Sequence, residues 1–312
     1  MVLNPGSTSD HDTDAWTNSS YYSREMSKAS ALAAVVSSLT PKNDGGLLGR
    51  ALTAADGLRR SKDKVRVLFA ISERLPQKQK PKVVARAFAA VDWRDLNDSD
   101  SDALAVEAQH ISSEQRTAIL SNALEALEGL INDASKATAL TAIAKCMTAT
   151  PNGTLRERAL LVAERMRDGY DKSKALAGIV KSLSRERDEA LLARALVVAD
   201  AIAHCAGKAT VLVAIAARLP REEKSKVLSR ALAAAEGIEV DFRKAEAMVE
   251  IAKHLSDEEL PEFLRRVTTH LAKISRTISG PLISNITNLI CREPKQVDTI
   301  VDIILDVYTR WR

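Results

Sequence analysis

Residues Val227 to Leu255, VLSRALAAAEGIEVDFRKAEAMVEIAKHL, decide the fold. Val227, Ala231, Leu232, Ala235 and Ile238 fall on one face of a helix. A break follows over Gly237 to Phe242. A second helix then carries Ala245, Met248, Ile251, Ala252 and Leu255 on its inner face. The stretch predicts two antiparallel helices joined by a short turn.

Its Arg230-Ala231 pair returns along the chain at steps of 36 residues. The series is Arg50-Ala51, Arg86-Ala87, Asn122-Ala123, Arg158-Ala159, Arg194-Ala195, Arg230-Ala231 and Arg266-Val267. A second phrase, Lys-x-x-x-Leu-x-x-Ile/Val, keeps step with it. It occurs at Lys28/Leu32/Val35, Lys64/Leu68/Ile71, Lys136/Leu140/Ile143, Lys172/Leu176/Ile179 and Lys208/Leu212/Ile215, and as Lys244/Met248/Ile251. A fixed period of roughly 20–50 residues marks a stacked repeat array.

The expected fold is therefore all-α: a right-handed α-solenoid of about seven to eight helix-turn-helix repeats with atypical terminal caps. The array is expected over residues 14–279. A disordered lead-in precedes it over 1–13, and capping helices continuous with it follow over 280–312. Trp16, Tyr21 and Tyr22 at one end, and Tyr308 and Trp311 at the other, suit caps that lack one neighbour. Ser112 with Gln115, and Ser256 with Glu259, have capping-box spacing at helix starts. No insertion breaks the step from Arg50 to Arg266. Functional loops in repeat proteins are usually such insertions, so their absence weighs against grafted catalytic chemistry and function is expected on an extended surface.

Composition agrees. Hydrophobic residues make up 46% of the 312, enough for a core, while aromatics are 4% and Ala and Leu dominate, which favours helix. No apolar run approaches the roughly 18 residues of a membrane span, and the polar stretch Met1 to Asp14 lacks the pattern of a secretory signal. Cys146, Cys205 and Cys291 are sparse and unpaired in sequence, which points to reduced, packed thiols and a cytoplasmic setting. A bacterial effector delivered into a host cell carries the same signature. The net charge of +4 is modest for a nucleic-acid arm, but its distribution is uneven. Arg59 to Arg86 is strongly basic, and Asp92 to Glu107 is acidic.

The pattern L-x-R-A-L-x-x-A-x-x-I followed by K-A-x-x-L-x-x-I-A-x-x-L-P is clearest at Leu192 to Pro220, LARALVVADAIAHCAGKATVLVAIAARLP. It resembles the 36-residue helical repeats in sensor arrays of some bacterial signal-transduction ATPases, over about Lys28 to Thr269. The resemblance implies an α-solenoid, broadly like tetratricopeptide and HEAT proteins, whose role is recognition of other molecules. The tetratricopeptide pattern itself, with Trp and Tyr in its first helix, is not in these repeats. Nor do these residues include the NTPase domain that such sensors regulate.

Two rows of residues are site candidates. The first is the ladder Arg50, Arg86, Arg158, Arg194, Arg230 and Arg266, accompanied six residues later by Asp56, Asp92, Glu128, Glu164, Asp200 and Glu236. Six positions is about 240° around a helix, so the two rows cannot pair well within one helix. A matched row of opposite charge is expected to form an inter-repeat ion-pair ladder. The competing role is a groove for an acidic peptide or a phosphate backbone. The second row ends the second helices: Arg74, His110, Lys145, Lys181, Arg218, Lys253 and His254, with Lys78, Lys80 and Lys82 beside it. Cations there complement the helix macrodipole. They also vary more between repeats than the core phases do, which makes them the candidate partner-binding residues.

Other motifs point away from chemistry. The run Asp95 to Asp102 fails as a calcium loop, with Ala103 where the turn glycine belongs and Gln109 where the bidentate acid belongs. An acidic cap on a helix starting at Ala103 is expected instead. His11, His110, His204, His254 and His270 lack the spacing of a helical zinc site. Gly45-Gly46 and Gly49 lack the Gly-Lys-Ser/Thr of a phosphate loop and are expected to mark the turn before a helix. No catalytic residue, metal or cofactor is assigned.

The expectation is a non-enzymatic protein–protein interaction or scaffold module, free of cofactors, that recognises a partner helix or peptide along its repeat surface in a bacterial signalling or effector context. A monomer without membrane contact is favoured. The alternatives are an RNA- or DNA-binding solenoid that uses its Arg and Lys rows on phosphates, and an enzyme with a concave-face site.

Overall fold

The structure is a computed structural model. It describes residues 28–39, 45–148, 152–167 and 169–256, together with 259, 260, 263, 267, 305 and 309. The expectations for residues 1–13, His11, Trp16, Tyr21, Tyr22, Arg266, His270, Cys291, Tyr308, Trp311 and the caps over 280–312 lie outside the described residues, apart from Leu305 and Thr309. Among the described residues the fold is all-α, with no strand.

Residues 28–38 are helical (α1). There follow α2 (Gly45–Asp56), α3 (Ser61–Arg74), α4 (Lys80–Ala89) and α5 (Asp98–Glu107). A single 3-10 turn, Ala108–His110, leads to α6 (Ser113–Glu128). Then come α7 (Asp133–Met147), α8 (Gly153–Glu164), α9 (Tyr170–Ser182), α10 (Glu189–Asp200), α11 (Cys205–Ala216), α12 (Arg221–Glu236) and α13 (Asp241–Ala252). Two compact units emerge, one of Met1–Asp95 with Ala103–Asn122, the other of Leu96–Asp102 with Ala123–Arg312.

Polar side chains cap the start of some of these helices. Asn132 accepts from Ser135 N at 3.1 Å and Asn152 from Thr154 N at 3.1 Å. The Ser112 and Gln115 side chains exchange hydrogen bonds with each other's backbone N–H, at 3.2 and 3.4 Å. Each such bond satisfies an N–H that the helix cannot. Gly169 precedes α9 at φ 149° and ψ −165°, a conformation that only glycine adopts readily.

Two local expectations need correction. The acidic run does not precede a helix at Ala103. The helix begins at Asp98, because Asn97 Oδ1 accepts from Asp100 N at 2.8 Å and starts the helix five residues earlier. Gly45, Gly46 and Gly49 are not a turn before a helix, since all three lie inside α2. A helix start at Gly45 puts poorly helix-prone glycines in its first turns, a modest cost that the burial of Leu48, Ala51 and Ala55 offsets.

In the first unit α3 packs on α2 and α4. Val67, Leu68, Ile71, Val84, Ala87 and Phe88 are buried, and the Phe69 and Phe88 rings meet edge-on at 5.9 Å. Buried Arg116 donates to the carbonyls of Ala108 at 2.8 Å and Ile111 at 3.2 Å, which holds the 3-10 turn. In the second unit α9 lies against both α7 and α11, and α11 packs on α12 and α13. The residues of the recurring phrases form the core of both units. Ala51, Ala87, Ala123, Ala159, Ala195 and Ala231 are all buried, as are Ile71, Ile143, Ile179, Ile215 and Ile251. Each fully buried Leu or Ile contributes roughly 1.5–3 kcal/mol, while the alanines let helix axes approach closely.

Candidate functional groove on the second helices

Two glycines set how closely the second helices of the larger unit approach. A Cβ at Gly178 of α9 would stand 2.9 Å from Thr141 Oγ1 of α7. A Cβ at Gly207 of α11 would stand 2.1 Å from Ser173 Oγ of α9. Beside these contacts α9, α11 and α13 leave a groove of about 980 Å³. A smaller hollow of about 310 Å³ over α7 and α9 adjoins it, since Tyr170, Lys181 and Thr210 line both. The groove floor is apolar and small-chained, with buried Ala209, Val213, Ala214 and Ile238. Its edges are polar, with exposed Lys181, Arg243 and Glu250.

Several second-row candidates meet on this surface. Lys145 lines the smaller hollow, Lys181 lines both, and Arg218 and His254 line the larger groove. Their surroundings differ. Lys145 Nζ lies 2.6 Å from Asp102 Oδ1. Lys253 pairs with Glu250 one turn before it on α13. Arg218 donates from Nη2 to the carbonyl of Lys181 at the end of α9, and its Nε is shut off from solvent without an acceptor. Burial, reinforced by the nearby Lys224, pushes His254 below its ordinary value, with Glu250 opposing. Arg74 and His110 belong to the other unit, half-buried at the end of α3 and in the 3-10 turn. Lys78 and Lys82 are exposed around the start of α4, with Lys80 half-buried between them.

Two groove residues were not assigned from the sequence. Tyr170 is 66% exposed, and its ring meets His204 edge-on at 6.3 Å. His204 caps α11, accepting at Nδ1 from Gly207 N at 3.0 Å. An aromatic residue at a helix start, in a chain so poor in aromatics, was the available signal.

The Arg and acid rows meet across neighbouring first helices. Arg86 pairs with Asp56, and Arg230 with Asp200. Arg158 Nη2 lies 3.7 Å from Glu128 Oε1, and Arg194 donates from Nε to Glu164 Oε1 at 2.6 Å and from Nη2 to Oε2. This two-pronged hydrogen bond holds the Arg194 guanidinium above its ordinary value. The acids also mark helix ends. Lys64 Nζ reaches the Asp56 carbonyl at 3.2 Å, Lys172 the Glu164 carbonyl at 3.0 Å and Lys208 the Asp200 carbonyl at 2.6 Å. Each lysine thus satisfies a carbonyl that its helix leaves open. Asn122 interrupts the ladder, and Asp92 instead accepts from Arg94 N at 3.0 Å. Arg50 and Glu236 are exposed at the ends of the described series. Each of these guanidinium groups is engaged by a carboxylate of the neighbouring first helix.

The buried pair Arg156–Asp188 was not assigned from the sequence, although Arg156 stands at a phase that holds Leu48, Val84, Leu120, Leu192 and Leu228 elsewhere. Among the described residues no group of three or more His, Cys, Asp or Glu could hold a metal ion. Nor is any helix of the described residues long and apolar enough to cross a membrane. Cys146 is buried and Cys205 partly exposed.

No family model matches the chain, and no curated protein matches it. One solved structure that matches is described as "Computational Design of Self-Assembling Cyclic Protein Homooligomers". It is 14% identical, with 96% of this chain and 98% of that one covered, at a TM-score of 0.15. A likeness at that score carries no argument about this chain.

Proposed function

We propose that this chain is a non-enzymatic interaction module: an α-solenoid of 36-residue helix pairs that takes a peptide or helix of a partner protein along its second helices. The observation that carries this reading is the groove across α9, α11 and α13, continued over α7. Its apolar floor and polar edges suit an amphipathic or extended segment. The close helix contacts at Gly178 and Gly207 favour a surface formed before the partner arrives, which lowers the ordering cost of binding. The Arg–acid pairs between first helices support stacking of successive units rather than ligand capture.

The test is selection from a random-peptide display library on the full chain, followed by affinity measurement on a groove-filled variant, Ala217→Trp/Ala247→Trp. Peptides selected on the wild type are expected to lose binding to the filled variant, with unchanged circular dichroism and melting as the fold control. Absence of selected peptides, or peptides indifferent to the filling, would sink the reading.

A further inference from the structure

We infer that the segment taken by this groove is acidic, with a carboxylate seated against Lys181 and Arg218. The inference rests on the peptide-binding reading above and adds the chemistry of the partner.

Four cations run along the ends of the second helices: Lys145, Lys181, Arg218 and Lys253. The outer two are neutralised, Lys145 by Asp102 and Lys253 by Glu250. The middle two are not. Among the described residues no carboxylate lies within ion-pair distance of Lys181 or Arg218, and both line the larger groove. The two lie together, because Arg218 Nη2 donates to the Lys181 carbonyl. That bond caps α9 and accounts for one of the five N–H donors of the guanidinium, with Nε–H enclosed. The Lys181 ammonium makes no hydrogen bond at all among the described residues.

The acids of the same groove do not offset these charges. Glu246 lies 3.0 Å from Arg243 on its own helix, and Glu250 is held by Lys253. Glu239 stands on the α12–α13 turn. His254 is held toward its neutral form by burial and by Lys224. What remains at the α9 and α11 ends is a pair of like charges beside an alanine-lined floor, at Ala214 and Ala217. A carboxylate there relieves the like-charge repulsion and gains charge-assisted hydrogen bonds. The small floor residues leave room for a bulky apolar side chain next to it.

The test uses peptides selected on the full chain. Those that lose binding to Ala217→Trp/Ala247→Trp are expected to be enriched in Asp or Glu. They should weaken at least about tenfold on Lys181→Glu/Arg218→Glu, and each should weaken when its acid is replaced by the amide. Because reversal also disturbs the α9 cap, Lys181→Gln with Arg218 intact is the second variant, expected to weaken the same peptides without lowering the melting temperature. Groove-dependent peptides with no acidic enrichment and no response to either variant would overturn this inference and leave the interaction reading standing. No groove-dependent peptide at all overturns both. Labelled single-stranded and duplex oligonucleotides form the third arm. An oligonucleotide that displaced the peptides, with affinity falling steeply in salt, would overturn the peptide in favour of a phosphate backbone.

Discussion

Arg156 Nη1 lies 3.2 Å from Asp188 Oδ2, with the two side chains only 4% and 2% exposed, so α8 is tied to the start of α10 by an ion pair inside the core. Asp188 also accepts from Ser184 N at 2.8 Å, and Arg156 Nη2 reaches the Met147 carbonyl at 3.4 Å. Arg156→Leu restores the residue type of the neighbouring phases but strands a buried carboxylate. It is expected to cost about 3–5 kcal/mol in urea unfolding. Arg156→Leu/Asp188→Asn should recover most of that loss, since the amide keeps the bond from Ser184. A double variant as unstable as the single one would show that the pair itself carries the stability.

The Arg194–Glu164 pair is expected to couple most strongly of the exposed ladder. A double-mutant cycle with Arg194→Gln and Glu164→Gln should give about 0.5–1 kcal/mol, shrinking in high salt. The Arg158–Glu128 pair, at 3.7 Å, should give close to nothing. Equal couplings at the two sites, or no dependence on salt, would contradict this account.

Two glycines should respond in opposite directions. A Cβ at exposed Gly49 in α2 meets nothing within 4 Å, so Gly49→Ala is expected to stabilise by about 0.5–1 kcal/mol. Gly207→Ala would press on Ser173 Oγ at 2.1 Å and Ser173 Cβ at 2.6 Å, with an expected cost of about 1–3 kcal/mol. Trimming Ser173 to Ala leaves its Cβ in place, so Ser173→Ala should not rescue Gly207→Ala. Thermal melts of the three variants decide the point.

His254 ties stability to pH. Burial first, then Lys224 and Lys253, lower its folded value, against the pull of Glu250. A folded value below the unfolded one of about 6.5 means that the unfolded chain binds the proton more readily. The stability contribution is therefore full above that value and is lost as pH falls through it toward the folded value. His254→Gln should flatten this part of the pH–stability curve. The ring should titrate below 6.5 by NMR, and Lys224→Gln should raise its midpoint; a ring titrating above 6.5 would contradict the assignment.

The candidate groove was only partly legible in the sequence. Lys145, Lys181, Arg218 and His254 could be named as one row from their place near the ends of the second helices. That Asp102 neutralises Lys145 while Lys181 has no acid beside it could not, because Asp102 lies 43 residues before its partner. The start of α5 was misplaced for a simpler reason. A run of aspartates reads as a cap, and Asn97 had already supplied one upstream.

The sequence by itself determined that this protein is helical and which faces are buried. Ala231, Leu212 and Ile251 recur at fixed phases, and a 3.6-residue helix can cover such a stripe only by packing it. Tertiary structure alone decided which side-chain ends meet: Arg156 with Asp188, Arg218 with the Lys181 carbonyl, Gly207 with Ser173. Periodicity records the direction a side chain takes from its own helix axis. Contact between helices depends on axial offsets and separations of a few ångströms, which arise only when the helices settle against one another.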